Sequence, residues 1–166
     1  MNGTPAAQMH IKDTSVPVVV LLSSQHGGLG IIRSLGREEI PVYSVHQSKW
    51  EPAARSRFLQ RVFVWDFSSA AADDSVKFLL ELAQTIGKRS ILIPTSDVTA
   101  GFVAGNAGRL GNQYLLATAS PEVVHQFSRK KRTRDLCRKL GVPTAVTALM
   151  QSRTKHWILR GPGTFP

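Results

Sequence analysis

Apolar runs alternate with amphipathic stretches along the chain from Val16 onward. The apolar runs are almost continuous and rich in β-branched residues, which is typical of strands covered on both faces, as in a parallel sheet. The pattern predicts strands at 16–22 (VPVVVLL), 42–46 (VYSVH), 61–65 (RVFVW), 90–94 (SILIP) and 114–118 (YLLAT).

The stretches between these runs have helical periodicity. Predicted helices are LGIIRSLGREE at 29–39, DDSVKFLLELAQTIG at 73–87 and SDVTAGFVAGNAGRL at 96–110. The second begins with acidic residues and ends at Gly87, a predicted C-cap. The third contains three glycines, each of which costs a helix about 1 kcal/mol relative to alanine. Strands that alternate with helices predict an α/β fold, a Rossmann-like open parallel sheet with right-handed crossovers.

The pattern changes after Ser120, where PEVVHQFS at 121–128 and KKRTRDLCRKLG at 130–141 predict two short helices. The last residues, RGPGTFP, are typical of a loop. In the alternating pattern, a strand would be expected to begin at about this point. The predicted organisation is a disordered leader at 1–14, a sheet domain at 15–118, a helical segment at 119–147 and an irregular, truncated end at 148–166.

Length and composition limit the class of protein. A chain of 166 residues is long enough for one domain with a sizeable core. A single cysteine, Cys137, excludes an internal disulfide and argues against a cysteine-based metal site. The N-terminus lacks the features of a secretory signal, and no apolar run approaches the roughly 18 residues of a membrane span. We therefore expect a cytoplasmic protein without a membrane partner.

The net charge of +10 is unevenly distributed. Residues 1–128 carry 11 basic and 10 acidic residues, whereas residues 129–166 carry 10 basic and one acidic residue. A basic helix binds phosphates of any kind, and no aromatic residue is interleaved with RKKRTR to stack on bases. A solvated helix face therefore explains most of these charges better than a nucleic-acid partner does.

The segment SSQHGGLGIIRSL at 23–35 joins the first predicted strand to the first helix. Gly28 and Gly30 fit the first two positions of a dinucleotide fingerprint, but Arg33 occupies the third, and the second strand ends at His46 without a following carboxylate. NAD or FAD binding is therefore disfavoured. The amides of Gly27, Gly28 and Leu29 could still bind an anion at the helix N-terminus. Alternatively, the two glycines simply permit a tight turn.

Ligands of open α/β sheets bind outside the carboxyl ends of the strands, here the loops 23–28, 47–57 and 94–98. Thr95, Ser96 and Asp97 follow the fourth strand and could contact a substrate or cap the next helix. Arg55 and Arg57 lie in the second loop and could bind a carboxylate or phosphate, or be surface residues near the start of the third strand. No motif predicts a catalytic residue or a metal ligand.

Taken together, four segments resemble the N-terminal part of ATP-grasp carboxylate–amine ligases, whose fold is shared with carbamoyl-phosphate synthetase, biotin carboxylase and the D-aspartate ligases. These segments are VVVLLSSQHGGLGIIRSLGREEIPVYSV, then WEPAARSRF with RVFVWDF, then ILIPTSD, and finally SPEVVHQFSRKKRTRDLCRKLGVPT. Together the four segments cover residues 16–147, and they follow one another in the family's order and spacing. In the last segment Arg129 replaces the family's usual Asp, and Ala145 replaces the second proline of a Pro-x-Pro.

The resemblance implies that residues 16–118 form a preATP-grasp domain, a Rossmann-like sheet without a dinucleotide. It also implies a substrate cleft beside Gly27, Gly28 and Leu29, to which Arg57, Thr95 and Asp97 are candidate contributors. Lys130 matches the lysine that approaches the nucleotide phosphates. The family uses ATP and Mg²⁺ to activate a carboxylate as an acyl phosphate, which an amine then attacks.

The resemblance further implies that residues 119–147 are the helical start of an ATP-grasp domain. The second phosphate lysine of that domain lies on a strand that would begin near Phe165, and the phosphate loop and the magnesium ligands belong to the missing part of the same domain. We therefore expect that this polypeptide does not catalyse ligation alone and does not bind Mg-ATP well. Its expected partners are a small carboxylate or amine, the ATP-grasp domain and, as an open question, a second copy of the chain. The alternatives are a non-enzymatic module that docks to a separate ATP-grasp subunit, and a Rossmann-type oxidoreductase.

Overall fold

The computed structural model describes residues 13–21 and 27–143. The chain divides into two compact units, Met1–Val124 and His125–Pro166. The expected leader lies almost wholly outside the described residues, and the expected irregular end at 148–166 lies outside them entirely. Within the described part, no helix is long and apolar enough to cross a membrane.

The first unit is built on a sheet of five parallel strands in the order β3-β2-β1-β4-β5. The strands are β1 (Val18–Leu21), β2 (Val42–His46), β3 (Leu59–Val64), β4 (Ser90–Pro94) and β5 (Tyr114–Leu116). The sheet is the Rossmann-like α/β sheet predicted from the sequence. The chain moves outward from β1 through β2 to β3, then crosses to β4 and β5, so the strand order reverses between β1 and β4.

Helices connect most of the strands. They are α1 (Gly27–Arg37), α2 (Ala72–Ile86), α3 (Asp97–Gly105), α4 (Ala107–Leu110), α5 (Pro121–Phe127) and α6 (Lys130–Lys139). A short 3₁₀ helix, Pro52–Arg55, lies between β2 and β3. Gly87 has a φ of 70° and ends α2 as the predicted C-cap, because glycine adopts this left-handed conformation without a steric penalty.

The core lies on both faces of the sheet. Alternate residues of β1 point to opposite faces, so Val18 and Val20 pack with Ile32 of α1, whereas Val19 and Leu21 pack with α2, α3 and α4. All four residues of β1 are buried. This two-sided burial is the reason that the central strand is continuously apolar in the sequence.

The extents of α1 and of the helix predicted at 96–110 differ most from the prediction. α1 is described from Gly27, two residues before the predicted start, so Gly27 and Gly28 are themselves helical residues. The stretch predicted as one helix at 96–110 is interrupted at Asn106, whose φ of −115° and ψ of 17° separate α3 from α4. The Asn106 side chain donates a hydrogen bond from Nδ2 to the carbonyl oxygen of Phe102, 2.9 Å away, and so satisfies the end of α3.

Candidate ligand-binding cavity at the carboxyl edge of the sheet

A cavity of about 380 Å³ lies at the carboxyl edge of the sheet. Its volume is within the range of small-molecule sites, and its edge is the one at which open α/β sheets bind ligands. The lining residues follow the ends of β2, β3 and β4: Gln47; Trp65, Asp66, Phe67 and Ser68; and Thr95, Ser96, Asp97, Val98 and Thr99.

The segment after β4 supplies one wall and begins α3. Ser96 is the N-cap: its Oγ accepts a hydrogen bond from the Thr99 amide at 3.2 Å, and Thr99 Oγ1 accepts one from the Ser96 amide at 3.2 Å. This reciprocal pair is a capping box with threonine in place of the usual glutamate or glutamine. The Thr95 hydroxyl donates to the Leu21 carbonyl oxygen, 2.7 Å away, and ties β4 to β1.

Capping therefore explains Ser96 but not Asp97. Asp97 is an exposed residue in the first turn of α3, and no hydrogen bond or ion pair engages its carboxylate within the described part of the chain. Of the two predicted roles for this segment, the structure shows capping by Ser96, and ligand contact by Asp97 stays a prediction. Ser96 caps the helix, and Asp97 presents a carboxylate at the rim of the cavity.

The segment after β3 supplies a second carboxylate, Asp66. Its Oδ1 accepts a hydrogen bond from the Ser68 amide at 2.9 Å, and its Oδ2 accepts one from the Ser69 hydroxyl at 2.8 Å. The Ser68 amide, the Ser69 hydroxyl and the Gln47 side chain together lower the pKa of Asp66, since hydrogen bonds to the ionised form favour it. Asp66 is thus a fixed anion in the cavity wall.

Two of the residues that line the cavity are aromatic, Trp65 and Phe67. The Trp65 ring stacks on Phe78 of α2, with centroids 4.5 Å apart and planes 9° from parallel. Its indole Nε1 donates to Ser75 Oγ at 3.0 Å, which fixes the ring orientation. Phe67 lies with its ring centroid 5.3 Å from that of Phe102 of α3. The rings are held by packing, so this wall is formed before any ligand arrives.

A hydrogen-bonded chain of three side chains lies beside the cavity, at the end of β2. His46 Nε2 is 2.8 Å from Ser44 Oγ, and His46 Nδ1 is 3.0 Å from Glu51 Oε2. Because a carboxylate only accepts, Nδ1 is the donor to Glu51, and in the neutral ring Nε2 then accepts from the Ser44 hydroxyl. Ser44 and His46 are completely buried, so no substrate reaches them and the chain holds the segment after β2 in place.

The predicted site residues are only partly brought together. Thr95 and Asp97 line the cavity. Gly27, Gly28 and Leu29 form the first turn of α1, which follows residues 22–26 outside the described part. Arg57 lies two residues before Leu59, the register partner of Val42, and thus at the opposite, amino edge of the sheet; its guanidinium lies 5.0 Å from the centroid of the Phe58 ring.

Lys130 is the exposed first residue of α6 in the second unit. Its role, like the roles of Arg57 and of the α1 amides, stays a prediction. The sequence reading missed Gln47, Trp65 and Asp66. Gln47 and Asp66 directly follow predicted strands and Trp65 is the last residue of one, which was the available signal, since the carboxyl ends of all strands of a parallel sheet face the same edge.

The fold is shared with a solved enzyme structure. The biotin carboxylase domain of a single-chain bacterial carboxylase superimposes with a TM-score of 0.50 at 20% sequence identity, over 77% of this chain and 30% of that chain. The biotin carboxylase domain of a thermophilic 2-oxoglutarate carboxylase bound to bicarbonate gives a TM-score of 0.48 at 16% identity, over 77% and 28% of the two chains. No family model and no curated protein sequence matches this chain. At 20% identity the first of these likenesses establishes the fold alone, and the chain spans about 30% of the length of that structure.

Proposed function

We propose that this chain is the N-terminal, substrate-side part of an ATP-grasp carboxylate–amine ligase, with the cavity at the carboxyl edge as a substrate subsite. The observation that carries the proposal is the likeness to the biotin carboxylase domain, a fold that the sequence resemblance specified independently. The likeness covers 77% of the chain, and the four family-like segments, from residue 16 to residue 147, span a similar share of it.

In the proposed reaction a carboxylate is activated as an acyl phosphate and an amine displaces the phosphate. The described residues do not fit a magnesium site, because no three His, Cys, Asp or Glu side chains among them converge as metal ligands. The proposal therefore assigns Mg-ATP to an ATP-grasp domain and gives this chain the task of binding and orienting a substrate. Lys130 is proposed to contribute one positive charge toward the nucleotide phosphates.

The geometry at the end of β2 disfavours the oxidoreductase alternative. A dinucleotide-binding fold needs a carboxylate at this position to hold the ribose hydroxyls. Here the position is taken by His46, which is completely buried, and the nearest carboxylate, Glu51, is paired with its ring. Arg33, at the third position of the glycine fingerprint, is an exposed residue of α1.

Titration of the ¹⁵N-labelled chain with candidate ligands distinguishes the proposed ligase function from the oxidoreductase alternative. We expect small amines or carboxylates to shift the amide signals of cavity residues such as Ser68 and Val98, and NADH to cause no saturable change at micromolar concentration. Mg-ATP should bind no better than millimolar, because most of its ligands are assigned to another domain. Micromolar binding of NADH at the first turn of α1 would contradict the ligase proposal.

A second candidate, a docking module for a separate ATP-grasp subunit, is favoured by exposed apolar side chains after residue 119. Val123 and Phe127 lie four positions apart in α5 and are 45% and 59% exposed. Leu140 and Val142, beyond the end of α6, are 65% and 49% exposed. Such side chains are a predicted property of a partner surface.

The docking candidate is tested with an ATP-grasp domain that lacks its own N-terminal part, prepared from the similar biotin carboxylase. We expect co-elution with the wild-type chain and its loss in Phe127→Asp, with Val64→Asp, an exposed position on the edge strand β3, as the matched control. Light scattering in the same run reports whether the free chain is a homodimer. A stable complex that Phe127→Asp leaves unchanged would contradict docking through α5.

A further inference from the structure

The cavity at the carboxyl edge has a charge opposite to that of the chain as a whole. The chain has a net charge of +10. Among the residues that line the cavity, however, Asp66 and Asp97 are the charged ones, and the described lining includes no lysine, arginine or histidine. A like-charged carboxylate is disfavoured in such a site, and a cation is favoured.

The two carboxylates differ in what holds them. Asp66 is fixed by the Ser68 amide and the Ser69 hydroxyl, so its charge is preorganised. Asp97 is exposed and has no cationic partner within the described part of the chain. Another aspartate of this unit does have a cationic partner, since the Arg109 guanidinium lies 2.6 Å from Asp73 Oδ1. Asp97 is thus the carboxylate available to a ligand.

The aromatic residues of the cavity are an independent observation, and they narrow the chemical class of the ligand further. Trp65 and Phe67 contribute to the lining, and both rings are fixed from behind by Phe78 and Phe102. Aromatic faces attract ammonium groups and bury apolar groups. Together, the cavity volume, the fixed rings and the two carboxylates match an ammonium group attached to an apolar or aromatic body.

We propose that this cavity binds the amine substrate in its ammonium form, with the charge between Asp66 and Asp97 and the apolar body against Trp65 and Phe67. This assignment rests on the proposed ligase function, in which one substrate is an acid and the other an amine. It places the acid elsewhere, because a carboxylate in this cavity meets two negative charges.

The test uses three probes of similar size and shape: phenethylamine, 2-phenylethanol and 3-phenylpropionate. Each is titrated into the ¹⁵N-labelled full chain at low ionic strength, and the dissociation constant is read from the amides of Ser68, Val98 and Thr99. We expect phenethylamine to bind at least about tenfold more tightly than 3-phenylpropionate, with 2-phenylethanol between them. Added salt should reduce this preference, because exposed charges are screened.

Asp97→Asn should weaken phenethylamine binding about three- to tenfold and leave 2-phenylethanol binding unchanged. The matched control is Asp74→Asn, since Asp74 is an exposed aspartate in the first turn of α2 that does not line the cavity. Both variants are checked for an unchanged thermal midpoint.

The failures of the two proposals are distinguishable. Tighter binding of 3-phenylpropionate would overturn the amine assignment and leave the ligase proposal standing, with the acid in this cavity. Absence of any probe binding at millimolar concentration, or phenethylamine binding that Asp97→Asn does not weaken, would also overturn the amine assignment. Micromolar NADH binding would overturn the ligase proposal whichever probe is preferred.

Discussion

His46 Nδ1 lies 3.0 Å from Glu51 Oε2, so the last residue of β2 holds the segment that leaves the sheet after it. His46 is fully buried and the Glu51 side chain is 15% exposed. The carboxylate accepts a hydrogen bond from Nδ1, and the other ring nitrogen, Nε2, is hydrogen-bonded to Ser44 Oγ. Both nitrogens of the buried His46 ring therefore have hydrogen-bond partners, and the next residue, Gln47, lines the cavity.

Glu51→Ala should lower the free energy of unfolding by about 1–3 kcal/mol, because it leaves the buried Nδ1–H of His46 without an acceptor. Glu51→Gln should cost less, since the amide oxygen still accepts. Urea denaturation measures both. Glu38→Ala, an exposed glutamate just after α1, is the control and should change stability little. Equal losses in Glu51→Ala and Glu51→Gln would mean that the hydrogen bond to His46 is not the source of the effect.

Two glycines of α1 should respond oppositely to the same substitution. A Cβ at Gly36 would lie 2.7 Å from Cγ and 2.8 Å from Cδ1 of Phe58, which packs under the helix with Ile32. Gly36→Ala should therefore lower the free energy of unfolding by about 1–3 kcal/mol through overpacking.

Gly30 is the matched control in the same helix, because a Cβ there would meet no heavy atom of the described residues within 4 Å, apart from its chain neighbours and its own helix backbone. Gly30→Ala should raise the free energy of unfolding by up to about 1 kcal/mol, since alanine favours the helix. Denaturation curves of both variants give the sign directly. A stabilising Gly36→Ala would show that Phe58 moves aside without cost.

The sheet was predictable because its central strands are buried on both faces, which leaves a nearly unbroken apolar run at 18–21 and at 90–94. The split at Asn106 was not predictable from periodicity, because the apolar pattern continues through it and only the backbone angles of one residue change. The three glycines of 96–110 indicated that the helix would be weak, but they did not indicate where it ends.

The cavity was predictable in part for a geometric reason. Thr95 and Asp97 directly follow a strand, so they had to lie at the carboxyl edge. The segment 47–57 also begins at that edge, but the next strand is parallel, so the chain must return to the amino edge before Leu59. Arg57 lies near the end of this returning segment, at the amino edge of the sheet. The His46–Glu51 pair depends on how the same segment turns, which no residue pattern specifies.

Tyr114 should make stability fall at alkaline pH. Its hydroxyl donates to the Leu79 carbonyl oxygen at 2.7 Å, joining β5 to α2, and burial raises the pKa of the Tyr114 phenol well above its ordinary value of 10.0. The folded state favours the neutral form, so this contribution is fully present below about pH 10 and is lost as the pH rises toward the folded-state pKa.

Tyr114→Phe cannot ionise, and should lose less stability than the wild type between about pH 8 and about pH 11. At about pH 8 the variant should itself be less stable by roughly 0.5–1.5 kcal/mol, the usual effect of losing one hydrogen bond. Urea denaturation at several pH values measures both differences. Tyr43→Phe, a half-buried tyrosine of β2, is the control. Identical alkaline losses in the wild type and Tyr114→Phe would exclude Tyr114 as the titrating group.

Ser96→Ala should act on both stability and the cavity, because Ser96 caps the helix that carries Asp97. Loss of the hydrogen bond from the Thr99 amide should lower the free energy of unfolding by about 1 kcal/mol. Ser34→Ala, an exposed serine within α1, should be neutral or slightly stabilising. The first turn of α3 loosens without its cap, so phenethylamine should bind more weakly to Ser96→Ala although no charge has been removed. Unchanged binding together with the expected loss of stability would show that the position of Asp97 does not depend on the capping box.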